Sequence, residues 1–159
     1  MVGLTFNWEG LSELIASVSA QIAKLRDLRP AWRSVLLYLR RATTAQFDSK
    51  GGRSGDDWAP LSPAYAARKA RIYPGMPILR ASDRMFRSLV DQSSDSIAEL
   101  EPREMTYGTR TPYARYHQKG TPKMPRRRIL AITPEDRRYV RQAVRAHLGT
   151  QARISGFEV

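Results

Sequence analysis

The chain has 159 residues, 42% apolar and 26% charged, which suits one globular domain and excludes wholesale disorder. It holds no cysteine, which excludes a disulfide scaffold, thiol catalysis and a Cys-ligated zinc site; no apolar run approaches the roughly 20 residues that cross a bilayer. The formal net charge is +12, from 27 basic against 15 acidic residues, and the excess is mostly arginine, which implies an acidic partner without choosing between protein and nucleic acid.

The opening decapeptide lacks the basic start and long apolar stretch of a signal peptide, so a soluble intracellular protein is expected. Leu4 to Trp8 alternates apolar and polar residues and predicts a short strand. Leu11, Leu14, Ile15, Val18, Ile22 and Leu25 keep helical spacing and predict a first helix that ends before Pro30. A second helix starts at Pro30, with Trp32, Val35, Leu36, Leu39, Ala42 and Phe47 on its buried face and Arg33, Arg40 and Arg41 in solvent.

Asp48 to Pro63 is rich in Gly, Ser, Asp and Pro and reads as a loop. Trp58 within it either plugs the core or anchors a partner; the core is favoured because large aromatics are mostly buried. Ser62 and Pro63 open a short helix through Lys69 or Ala70, and Ser82-Asp83 caps another that carries Met85, Phe86, Leu89 and Val90. Ser96–Leu100 and Met105–Gly108 predict strands paired around the turn "EPRE". Pro112 starts a short helix that Gly120 ends, and Ile129 to Ile132 reads as a final short strand. Thr133-Pro134-Glu135-Asp136 opens the last helix, which Gly149 is expected to stop. The fold class is therefore α+β, with two long N-terminal helices, a small mostly antiparallel sheet, short helices and a C-terminal helix. Residues 1–148 form one domain, and 149–159 an extended C-terminal tail.

Signs of chemistry are sparse. His117 and His147 have no metal-site spacing, the glycines of "KGGRSG" lack a strand-to-helix context, and the glutamates 99, 101 and 104 flank a hairpin turn. No enzyme, metal or cofactor is predicted, and His117 is expected to hold a turn through a hydrogen bond. Arg126-Arg127-Arg128, with Lys119, Lys123, Tyr113 and Tyr116 close by, has the basic and aromatic mixture of a single-strand channel, but no standard recognition module is present.

The segment "FDSKGGRSGDDWAPLSPAYAARK" resembles the "F…G…W.PLS..Y..RK" stretch of the phage virion morphogenesis proteins, the tail-completion family of Mu-like phages. "ILRASDRMFRSL", "YGTRTPYARYHQKGT" and "MPRRRILAITPEDRRYV" are similar, in the same order, to that family's later segments, so the resemblance runs from Phe47 to Val140. Ala81-Ser82-Asp83 departs from the family's usual Thr-Gly, and Arg127 and Arg128 extend its basic site.

The resemblance implies a virion structural protein of the neck that completes the tail and supports head–tail joining, without turnover. It implies a homo-oligomeric ring, a hexamer, in contact with other neck, connector and tail proteins and with the packaged DNA in its lumen. The expected place is the head-proximal end of the tail, after assembly in the host cytoplasm, with no membrane association. A closing ring needs anchors on two faces of one subunit. Trp58, Tyr65, Tyr113, Tyr116, His117 and Lys119 are the candidate interface residues; the 149–159 tail is a further one. Lys123, Arg126, Arg127 and Arg128 are the candidate contacts to an acidic partner or DNA. The competing reading is a nucleic-acid-binding module that uses Arg126 to Arg128.

Overall fold

The structure, a computed structural model, describes residues 27–154 together with Ala16, Ser19, Ala20, Ile22 and Ala23. The strand expected at Leu4–Trp8 lies outside the described residues, and of the first expected helix only those five positions, all helical, fall within them. Helix α1 (Arg29–Asp48) carries Ala31, Val35, Leu39, Ala42 and Phe47 on its buried stripe, as the 3.6-residue period requires. Trp32 and Leu36 are half-buried at its edge; so is Arg40, which the period alone would have left in solvent. The start of α1 is fixed from far along the chain, where Leu28 N–H donates to Pro102 C=O at 2.8 Å.

Beyond α1 the chain turns at Lys50 and Gly51, both with positive φ. A Cβ on Gly51 would lie 2.7 Å from Trp58 Cδ1, so only glycine lets the loop pass that close to the indole. Helix α2 (Pro63–Ile72) follows, then α3 (Arg84–Val90). Asp83 occupies the cap position of α3 but makes no capping bond: its backbone is left-handed, and its carboxylate turns to the Arg80 guanidinium at 2.8 and 3.0 Å instead.

Strands β1 (Ser96–Leu100) and β2 (Met105–Thr109) pair antiparallel in the register Leu100 to Met105, closed by Glu101 N–H on Glu104 C=O at 2.8 Å. Among the described residues they are the whole sheet. Helix α4 (Ala114–Lys119) ends at Gly120, as its sequence predicts. The strand expected at Ile129–Ile132 is absent; the Gln118 carboxamide takes the place of a neighbouring strand. Its oxygen accepts from Ile129 N–H and Leu130 N–H at 2.9 and 3.0 Å, and its nitrogen donates to Leu130 C=O at 2.7 Å.

Helix α5 (Pro134–Ile154) begins with a reciprocal capping box: Thr133 N–H donates to Asp136 Oδ2 at 2.7 Å and Asp136 N–H to Thr133 Oγ1 at 3.3 Å. It does not stop at Gly149 but continues to Ile154. His147 Nε2 lies 2.9 Å from Asp27 C=O, which ties the far half of α5 to the start of α1. Nearer its beginning, Tyr139 stacks on Tyr38 of α1 with ring centroids 3.9 Å apart.

The core gathers at the end of α1, where Phe47 meets Trp58 and Phe86 edge-on, both at 5.1 Å, among Met85, Leu89, Ala114 and Ile129. Such aromatic contacts add about 1 kcal/mol each beyond the area they bury. Below them the Tyr107 hydroxyl donates to Leu89 C=O and meets Thr43 Oγ1, each at 2.9 Å, so β2, α3 and α1 share one polar joint. No described helix is long and apolar enough to cross a membrane.

Candidate assembly interface

The middle arginine of the densest basic run turns inward. Gly120 releases the chain from α4 at φ 77°, and a Cβ there would sit 3.0 Å from Arg126 N, so the returning strand can pack directly against the turn. Thr121 and Met124 close a short bridge, and Arg127 N–H donates to His117 C=O at 2.8 Å. The Arg127 side chain, 4% exposed, donates through Nε to Ala59 C=O at 2.8 Å and through Nη2 to Pro60 C=O at 2.9 Å. Arg126 and Arg128 flank Asp56 at 3.2 and 3.4 Å. Arg128 C=O accepts from both Trp58 Nε1 and Gln46 Nε2 at 3.0 Å. The three arginines therefore stitch the 121–128 arm to the 56–60 loop. With two of its donors on main-chain oxygens and its side chain buried, Arg127 acts first as an internal tie.

Between that arm and α2 lies a cleft of about 870 Å³. Tyr65 of α2 and Tyr113 line it, 48% and 36% exposed, together with Leu79, Met124, Lys123 and His117. Lys69, the one buried residue of α2, joins the helix to the loop that follows it: its ammonium donates to Met76 C=O and, at 2.6 Å, to Pro77 C=O. Burial pulls the Lys69 ammonium below its ordinary value, with Asp83 opposing. Burial, and then the Arg127 charge, likewise lower His117, so its ring is neutral at pH 7. Its Nδ1 is buried without a hydrogen-bond partner among the described residues, so the turn is held by the His117 backbone and not by the ring.

Of the residues singled out in the sequence, Tyr65, Tyr113, His117, Lys123 and Arg127 meet at this cleft. Trp58, a candidate anchor, is 6% exposed and belongs to the core. Tyr116 is exposed outside the cleft, under the Arg115 guanidinium at 4.7 Å, and Lys119 is exposed as well. No three His, Asp or Glu residues among the described ones could hold a metal ion.

Lys69 closes the "RK" of the stretch that resembles the family, but its burial carried no signal, because a lysine in a short helix reads as solvated. Arg138, Arg141 and Arg145 did carry one: their three- and four-residue steps place them on one face of α5, all exposed.

No curated protein and no solved structure matches the chain. The model of the phage virion morphogenesis family matches residues 6–149, most of the sequence and all of the elements from α1 to α4. With that coverage, the chain belongs to the phage virion morphogenesis family.

Proposed function

We propose that the protein is a structural subunit of the phage neck, which completes the tail and supports head–tail joining as a closed ring, six-fold, without enzymatic turnover. Family membership supports a role in virion assembly. The observation that carries the finer reading is the open cleft between α2 and the 121–128 arm, with exposed tyrosines on its wall and stiff internal links on its other side. A surface that is concave and aromatic on one face of a subunit suits a head-to-tail contact, in which each copy offers two different patches and rotation closes the ring. Neighbouring copies, and the connector and tail proteins above and below, are its partners, and the virion neck is its place.

Sedimentation and negative-stain imaging across a hundredfold concentration range test this. Rings are expected at high concentration, and Tyr65→Ala with Tyr113→Ala is expected to shift assembly to higher concentration by at least tenfold while the monomer stays folded. A chain that stays monomeric throughout and is missing from purified particles would overturn the reading.

A further inference from the structure

From Arg137 to Ile154, α5 carries five arginines and no acidic residue. Arg138, Arg141, Arg145 and Arg153 line a shallow groove of about 650 Å³ along the outward side of the helix, together with Gln142 and Thr150. All four arginines are exposed. Eight other arginines reach a carboxylate within 4.0 Å, but none of these four does among the described residues. A solvated helix face ordinarily alternates its charges, because like charges three or four residues apart repel and weaken the helix. Here the repulsion is left standing along the whole face.

The chemistry of the groove selects the anion. It holds no aromatic or large apolar side chain that could anchor a peptide, only nitrogen and hydroxyl donors and the small Ala146 and Gly149. The arginine fork binds phosphate through two parallel hydrogen bonds, and glutamine and threonine are common donors to a nucleic-acid backbone. From Arg138 to Arg153 the rise of the helix is about 22 Å, the length of about six phosphates along one strand of duplex DNA.

We propose that this outward face of α5 holds the phosphate backbone of duplex DNA without reading its sequence. The contact deepens the neck reading by naming one partner of the subunit, and its test needs neither ring nor particle.

Fluorescence anisotropy of the full chain with a labelled random-sequence duplex of about 20 base pairs, titrated from about 50 to 300 mM NaCl, decides it. The expected result is a steep linear fall of log affinity with log salt. Arg138→Gln/Arg141→Gln/Arg145→Gln should weaken binding at least tenfold at the lowest salt and flatten the slope by about 2 to 3, roughly 0.9 per lost phosphate contact. Arg126→Gln/Arg128→Gln should change affinity less than twofold. Glutamine is a good helix former, and circular dichroism checks that α5 survives. Should the triple variant lose helix, Arg141→Gln alone carries the test, with a slope lower by about 0.9.

The proposal is overturned by any of four results: no binding at the lowest salt, an unchanged slope in the α5 variant, an equal loss in the 126/128 variant, or competition by poly-glutamate as effective as unlabelled duplex. A chain that binds duplex as expected yet never enters particles would overturn the neck reading and leave this one intact.

Discussion

Two arginine clusters in this chain invite the same reading and behave in opposite ways. Arg126 to Arg128 are consecutive, and each meets an internal acceptor: the outer two, partly exposed, share Asp56, and the middle one is buried against the carbonyls of Ala59 and Pro60. The arginines of α5 are spread over four turns and stay exposed without a carboxylate among the described residues. Local density of charge thus says little about which charge is available. A buried arginine that satisfies main-chain oxygens acts as a structural tie, and an unanswered row on a helix face is an electrostatic surface.

The contrast can be broken first at the arginine that links both regimes. Arg53, from the loop after α1, grips Asp136 at the start of α5, and that carboxylate is fully buried. Asp136→Asn should cost about 3 kcal/mol, as the loss of one partner from a buried pair does, read as a lower urea midpoint at an unchanged slope. Burial alone would raise the Asp136 carboxyl, but Arg53 and the Thr133 donors outweigh it and hold it below its ordinary value of 3.8. The contribution of this carboxylate to stability is therefore full above that value and disappears as pH falls through the lower folded value. The wild type should therefore lose stability below about pH 4, and the variant should lose less over the same range.

A smaller effect is expected at Arg127. Arg127→Met keeps the apolar stem but leaves the Ala59 and Pro60 carbonyls without their donors, a cost of about 2 kcal/mol by thermal unfolding. Little or no change there would place Arg127 with the exposed arginines and erase the contrast. The smallest effect has the opposite sign. Arg141→Gln with Arg145→Gln removes like-charge repulsion and should raise stability by a few tenths of a kcal/mol at low salt, with the gain fading as salt is added. A loss of more than about 1 kcal/mol would show that those side chains carry structural contacts.

Local rules made much of the fold legible. The α1 stripe, the hairpin at residues 96–109 and the α4 helix with its Gly120 stop follow from periodicity and turn chemistry within a few residues. Two of the failures share a physical cause: a partner distant in sequence decided the outcome. The Gln118 carboxamide replaces the ladder that Ile129 and Leu130 would need to be a strand. Helix α5 runs past Gly149, with His147 docked on Asp27, 120 residues away. The third failure is local: Asp83 pairs with Arg80, three residues earlier, and gives up its capping role. The site was legible in its aromatics, Tyr65 and Tyr113, but not in its basic run, because Arg127 meets main-chain oxygens 67 and 68 residues away.

The Lys69 ammonium joins α2 to the loop after it, and among the described residues of that helix it is the one that is buried. A helix with one buried residue is expected to open before the Phe47–Trp58–Phe86 core does, and its amides to show low protection when hydrogen exchange is measured. A contact at Tyr65 of the kind proposed would draw on that local equilibrium and not on global stability, and its apparent affinity would scale with the fraction of molecules in which α2 is closed. Acetylation of that one amine is expected to free α2 from the 76–77 loop, so the chemistry of a single nitrogen would set how rigid a surface the protein presents there.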